Sequence, residues 1–249
     1  MLNRWTTPLA LRLAERESAA FDRRYGVDTA SWVMLDEMTI EDGAVEEARP
    51  YVPAPPRVLR ALLRRNVPDP HGWTFVDFGS GRARALIIAA AYGFSRVAGI
   101  EFGRELHEAA VQNVERVAER LPAARRIEPV LGDATLFDLP RGPLALYFNN
   151  PFTGGVFDAV AENIESSYRA DPRPIVLLYQ TMKVEDPGQG GRANLDRLDR
   201  SAELRPVPFH ARRPLDALAL RPFLLRVYAT AEALGAAEPR REDSVAVPA

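Results

Sequence analysis

The side chains able to do chemistry fall into two groups, and the first surrounds a glycine turn. In Val76-Asp77-Phe78-Gly79-Ser80-Gly81-Arg82-Ala83-Arg84 an apolar run carrying one carboxylate passes through Gly79, Ser80 and Gly81 into the apolar stretch Ala85 to Ala91. Glycine at 79 and 81 allows a tight turn and close approach of the backbone to a ligand. The helix start that follows presents unpaired N–H groups and a partial positive charge to an anion. A plain connection between strand and helix fits the same glycines. Glu101 ends the next apolar run, where a carboxylate can accept both hydroxyl protons of a ribose. Asp133, in Gly132-Asp133-Ala134, closes the run after that. Open parallel sheets bind ligands beyond the carboxyl ends of their strands, so Asp77, Glu101 and Asp133 are expected to line one site. Charged groups avoid buried strand ends unless something pairs with them. A pyrophosphate beside the turn would be repelled by Asp77, which disfavours a nicotinamide dinucleotide and makes a cation the better partner.

The second group is rich in amides. Leu146-Tyr147-Phe148-Asn149-Asn150-Pro151-Phe152 leaves an apolar run with two asparagines, a proline and an aromatic ring. Asn149 and Asn150 have side-chain oxygens that can orient an amine or amide nitrogen, and Phe152 or Tyr147 can offer a ring face to a cation. Asn-Pro is also a common way to start a turn. None of the three histidines is obviously placed as a base. With zero cysteines, disulfides, thiolate metal sites and covalent chemistry through sulfur are excluded.

Both groups need a scaffold that brings strand ends together. From Thr74 onward short apolar runs alternate with helical segments, which predicts strand-helix-strand units and a parallel sheet. Strands are expected at 74–78, 96–101, 127–131, 144–149 and 174–180, and an antiparallel hairpin from 204–209 and 223–230 at the sheet edge. Ala110, Val114, Val117 and Leu121 step along one face of a helix laid on that sheet. Upstream, Thr7 as a cap and Pro8 in the first turn open a helix that Leu9, Leu13 and Phe21 continue and Gly26 stops. An acidic stretch from Asp36 to Glu47 and four prolines then lead into a short helix around Val58 to Leu63. The expected fold class is α/β: a Rossmann-like, doubly wound, mostly parallel seven-stranded sheet with a C-terminal antiparallel hairpin and a helical N-terminal cap. Residues 1–70 form that cap, 71–235 the main domain and 236–249 a disordered tail. The cap is expected to wall the ligand edge, with Asp22, Arg23, Tyr25, Asp28, Thr29 and Tyr51 either closing over a ligand or serving as helix caps and surface pairs. The glycines between Lys183 and Asn194 fit a lid or plain disorder equally.

Composition narrows the function classes. The 249 residues are 47% hydrophobic, enough for a full core. With 32 basic and 34 acidic side chains the net charge of −2 supplies no general field for nucleic acid. No apolar run is long enough to cross a bilayer, so the expected setting is the cytoplasm, away from membranes.

The segments VDFGSGRARALIIAA, VAGIEFGRELHEAAVQN and LGDATLFDLP resemble class I S-adenosylmethionine-dependent methyltransferases, specifically small bacterial members of unassigned substrate. The resemblance runs from about Trp73 to Thr181, and FDRRYGVDT near the N-terminus is similar to a segment of that subgroup. It implies S-adenosyl-L-methionine as cofactor, whose ammonium and sulfonium are the kind of cation Asp77 favours. By the same resemblance Gly79, Ser80 and Gly81 approach the methionine part, Glu101 the ribose, and Asp133 with the Ala134 backbone the adenine edge. Phe102 and Asn149 complete the implied cofactor contacts, and no metal is implied. Ala83 stands at the third glycine position of the family. Methyltransferases acting on exocyclic or amide nitrogen carry Asn or Asp, two prolines and an aromatic ring where this chain has Asn150, one proline and Phe152. The paired asparagines also resemble histone-lysine methyltransferases of the telomeric-silencing type. The implied activity is methyl transfer, with nitrogen of a small molecule or protein side chain as the favoured acceptor and Asn149, Asn150 and Phe152 as catalytic positions. O-methylation of a small metabolite, and a nonenzymatic module holding the cofactor or its demethylated product, are the alternatives.

Overall fold

The computed structural model describes residues 3–39, 47–183, 191–209, 214–220 and 222–237. Seven strands, β1 (Thr74–Phe78), β2 (Arg96–Glu101), β3 (Ile127–Leu131), β4 (Leu144–Phe148), β5 (Ile175–Met182), β6 (Arg205–Val207) and β7 (Phe223–Ala229), form one sheet in the order β3-β2-β1-β4-β5-β7-β6. β1 to β5 are parallel, and β7 runs antiparallel to both β5 and β6. The expected α/β class with an antiparallel C-terminal pair is therefore present. The pair sits at the sheet edge as expected, with β7 the strand that joins β5 and β6 outermost. β7 is the longer and more apolar of the two and gains most from an interior place, whereas β6 is short, largely exposed and carries Pro206, which an edge strand tolerates. Pairing with β7 also carries β5 two residues past its expected end.

Alternation along the strands sorts the core into two layers. Phe75, Val97, Ile127, Tyr147 and Leu178 pack with the helices α2 (Pro56–Asn66), α3 (Arg84–Tyr92) and α4 (Arg104–Ala118). On the opposite face Val76, Ile100, Leu146, Phe148 and Tyr179 pack with α5 (Gly154–Ala170) and α6 (Gly191–Asp199). Two short helices, α7 (Pro214–Ala219) and α8 (Ala231–Ala237), complete the C-terminal part.

The first helix, α1 (Asn3–Tyr25), begins a turn before the expected Thr7 cap, so Pro8 lies within it and forgoes one backbone hydrogen bond. Phe21 and Tyr25 of α1 share one continuous core with α2, α3 and the sheet. Residues 184–190 and 238–249, which hold most of the expected lid and nearly all of the expected tail, lie outside the described residues. Among the described residues no helix is long and apolar enough to cross a membrane.

Candidate functional site

At the carboxyl end of β1 the chain turns through Gly79 (φ +78°) and Gly81 (φ +50°), a backbone region that favours glycine. The Gly79 and Ser80 N–H groups donate to the Ile100 carbonyl at 2.9 and 3.0 Å, seating the turn on the end of β2. What approaches these glycines closely is protein. A Cβ at Gly79 would lie 2.4 Å from Cβ of Pro151, and one at Gly81 would lie 2.1 Å from the Tyr51 ring. Ser80 is buried against Gly99 of β2, and among the described residues its Oγ has no hydrogen-bond partner. Ala83 adopts φ +70°, a conformation that costs a non-glycine residue about 1 kcal/mol.

The three strand-end acids differ sharply in environment. Glu101, 3% exposed, accepts from the N–H groups of Gly81 (2.8 Å) and Gly103 (2.9 Å). Burial raises its pKa, opposed by those donors and by the Phe102 N–H. Asp77 is as buried, yet among the described residues its Oδ1 has no hydrogen-bond partner, and burial together with the nearby Glu101 pushes its pKa well above the usual carboxylate range. An unsatisfied buried acceptor of this kind costs about 1–3 kcal/mol. Asp133 is exposed and accepts from the Thr135 N–H at 2.8 Å, capping a short 3-10 turn.

A cavity opens at this edge, with about 840 Å³ of space between atoms, solvent at its mouth included. Gly79 reaches it from the end of β1, Glu101 and Phe102 from β2, Asp133 and Ala134 from beyond β3, and Asn149 and Phe152 from beyond β4. Met38, Leu106 and Val156 supply apolar wall. Asp77, Ser80, Gly81 and Asn150 are not among its lining residues. A second cavity, about 2100 Å³ on the same measure, lies between α1, the segment 30–34 and the ends of β4 and β5. Arg49, Pro50, Val52 and Asn149 line both cavities.

The partition between them is a strap, residues 47–53, laid across the strand ends. Its backbone bridges Val33 to Tyr51 and Ala48 to Phe152, and the Glu47 carboxylate accepts from Gly155 (3.0 Å) and Val156 (2.7 Å) at the start of α5. A carboxylate there also meets the positive end of the helix dipole.

The polar cap residues named from sequence serve mainly to stitch loop and turn together. Asp22 accepts from the Thr29 N–H, the Thr29 hydroxyl, the Ala30 N–H and Arg84. Asp28 pairs with Arg82 at 2.8 Å, and the Tyr51 hydroxyl donates to the Thr29 carbonyl at 3.0 Å. Arg23 is exposed and Tyr25 sits in the core. Sequence reasoning missed Arg84. This guanidinium, 1% exposed, donates to Thr29, Ser18 and Asp22 and lies 5.3 Å over the Phe21 ring. No spacing rule finds it, because its partners lie 55 to 66 residues away.

The asparagine pair splits between two hydrogen-bond networks. Asn149 donates through Nδ2 to the Val52 carbonyl (2.8 Å) and accepts at Oδ1 from Gln180 (3.0 Å), whose Oε1 accepts from the Tyr147 hydroxyl (3.1 Å). Asn150, at φ +49°, accepts at Oδ1 from the Tyr179 hydroxyl (2.8 Å). Phe152 packs edge-on to Phe148. Gln180, Tyr179 and Asn194 were not singled out from sequence, although amides and tyrosines flanking an Asn-Asn pair are the types that would satisfy it. Among the described residues no group of three His, Cys, Asp or Glu side chains is arranged to hold a metal.

No protein-family model matches the chain, and no curated protein matches its sequence. Solved structures do match. An O-methyltransferase from Bacillus cereus, solved with S-adenosylhomocysteine, is 12% identical over 87% of this chain and 90% of its own, with a TM-score of 0.50. An RNA methyltransferase from Salinibacter ruber, also with S-adenosylhomocysteine, is 22% identical over 72% of this chain and 92% of its own, at 0.43. The glycopeptide N-methyltransferase MtfA, complexed with S-adenosylmethionine, is 13% identical over 70% and 93%, at 0.47. The likeness to the Bacillus cereus protein is one of fold, and the seven-stranded order described above is the fold concerned.

Proposed function

We propose that the protein is an S-adenosylmethionine-dependent methyltransferase. The observation that carries this reading is the convergence of Gly79, Glu101, Phe102, Asp133 and Ala134 from three strand ends on one cavity. Asp77 is in keeping with it: its carboxyl, next to Phe78 and Gly79 but outside the cavity's lining, has an oxygen without a partner among the described residues, and its field favours a ligand that brings an ammonium. In this reading Glu101 keeps lone pairs for ribose hydroxyls beyond those it gives to Gly81 and Gly103, and Asp133 with the Ala134 backbone meets the adenine. Phe102, Leu106 and Val156 enclose the base in apolar surface. When bound, the cofactor supplies a methyl group already activated on a sulfonium, so an acceptor lone pair forms the new bond as the carbon–sulfur pair departs on sulfur. The chain's own task is then to position the acceptor and exclude water. The second cavity is where an acceptor would lie, because it shares Asn149 and the strap with the first. The fold by itself does not choose the acceptor atom.

Calorimetry tests the cofactor half of this proposal. S-adenosylhomocysteine should bind one to one, and NADH should not compete. Failure of S-adenosylhomocysteine to bind the folded protein would falsify the reading. Binding without transfer of labelled methyl to any small-molecule or protein extract would leave a nonenzymatic module instead.

A further inference from the structure

The hydrogen-bond sense of the amide network at the floor of the second cavity follows from two backbone carbonyls. A carbonyl can only accept, so the Asn149 group facing Val52 is its NH2, and its oxygen is turned to Gln180. Gln180 must therefore present its own NH2 to Asn149, which leaves Oε1 to accept the Tyr147 hydroxyl. In the other network the Phe152 carbonyl settles Asn194, whose NH2 donates there (2.8 Å) and to the Tyr179 oxygen (2.9 Å). The Tyr179 hydroxyl proton is thus directed to Asn150, and its acceptor is Oδ1.

The consequence is a polarised floor. Each of the three amide oxygens at Asn149, Asn150 and Gln180 already accepts from protein. The Asn150 NH2 has no hydrogen-bond partner among the described residues, and Asn149 and Gln180 each keep one N–H unspent. All three residues line the second cavity. The rest of that lining is mostly apolar, including Trp32, Met34, Met182 and Phe223, and its titratable side chains among the described residues are Glu15, which is exposed, and Arg49.

We infer that the second cavity binds an apolar small molecule through an oxyanion, a carboxylate or phenolate, held by the N–H groups of Asn149, Asn150 and Gln180. Unspent N–H donors stabilise an anionic oxygen, whereas an ammonium would have to share amide oxygens that already accept from Gln180, Tyr147 and Tyr179. This names the class of acceptor for the reaction proposed above and rests on that proposal only for calling the molecule an acceptor. It also turns the expectation of a nitrogen acceptor toward oxygen, since the Asn150 oxygen that would have met an N–H already accepts from Tyr179 while the Asn150 NH2 is unspent among the described residues. An oxygen entering as the anion brings no proton to remove, in keeping with a lining whose carboxylate, Glu15, is exposed.

The test is calorimetric binding of decanoate, 4-phenylbutyrate and 4-nitrophenolate to the full chain, with decylamine and 4-phenylbutylamine as amines of matched body. Each carboxylate should bind at least tenfold tighter than its amine, and the phenolate arm tells which oxyanion is preferred. Tyr179→Phe frees the Asn150 amide to turn over and should bring the carboxylate-to-amine ratio toward one. Asn150→Asp replaces the donor by an oxygen and should weaken carboxylate binding tenfold or more. Gln180→Glu repeats that charge test on the other network should the Asn150 variant not fold. Amines binding as tightly as carboxylates, or a ratio indifferent to the variants, overturns the inference. S-adenosylhomocysteine binding without any oxyanion binding also overturns it and leaves the methyltransferase reading standing. Oxyanion binding without S-adenosylhomocysteine binding does the reverse.

Discussion

The two halves of the sheet's carboxyl edge have opposite electrical character. At β1, β2 and β3 the strand ends carry carboxylates: Glu101 is satisfied by backbone N–H groups, while Asp77 is left with an oxygen unpartnered among the described residues. At β4 and β5 the corresponding positions are neutral amides whose oxygens are all taken by protein donors. A buried carboxyl that holds its proton can give it up to meet a ligand cation, whereas a satisfied amide network costs little and selects by the direction of its remaining N–H groups. Under the proposed function and the inference drawn from the second cavity, one edge would hold a cationic methyl donor and an anionic acceptor side by side.

The acidic half breaks most severely at Glu101. Glu101→Ala leaves two buried N–H groups without acceptors, at roughly 1–3 kcal/mol each, so stability should fall by about 3 kcal/mol in urea denaturation. Affinity for S-adenosylhomocysteine should fall by about 1.5–3 kcal/mol in calorimetry, the range for charge-assisted hydrogen bonds. Unchanged affinity in a folded variant removes Glu101 from the cofactor site.

The amide half should respond more mildly. Asn150→Ala loses the Tyr179 hydrogen bond and strains a left-handed residue, together about 1–2 kcal/mol, and Asn150→Gly should recover the conformational share. If turnover per folded Asn150→Ala molecule matches wild type, Asn150 is a turn residue and not a catalytic one. A rate loss far beyond any loss of cofactor affinity gives the opposite answer.

Asp77→Asn produces the smallest change in stability, and its sign is the informative part. Asp77 has a raised pKa in the folded protein, so the folded state holds the proton longer than the unfolded chain does. Stability then declines as pH rises from the ordinary carboxylate range through the folded value. The Asn variant should lack this decline and melt higher than wild type above that window. S-adenosylmethionine should bind the variant more weakly than wild type, while 5′-methylthioadenosine, which lacks the ammonium, should bind both alike. Equal loss of the two ligands dissociates Asp77 from the ammonium.

Much of the scaffold was legible because it rests on local patterns. Runs such as Thr74–Phe78 and the apolar stripe Ala110, Val114 and Val117 are set by side-chain period, although Leu121, expected to continue that stripe, lies past the end of α4, and the glycine turn is set by backbone freedom. The convergence of Glu101 and Asp133 on one cavity follows from parallel strands ending at one edge. The glycines themselves were legible as a close approach, yet the approaching groups are Tyr51 and Pro151, which the sequence places far from the turn. The place of β7 inside the sheet was also hidden, since two antiparallel runs pair alike in either order and only competition for the β5 edge decides.

By itself the sequence determined what is periodic or local: the strands, the turn, the acids at strand ends and the absence of thiol chemistry. The tertiary structure alone decided which polar atoms remain available. Asn149 and Asn150 are adjacent in the chain and chemically identical, but past the end of β4 they enter different hydrogen-bond networks. There Gln180, Tyr179 and Asn194, from 29 to 44 residues later, determine which end of each amide is spent. A side chain's identity is written in the sequence, while its unspent donors and acceptors depend on partners that only folding brings within hydrogen-bond distance.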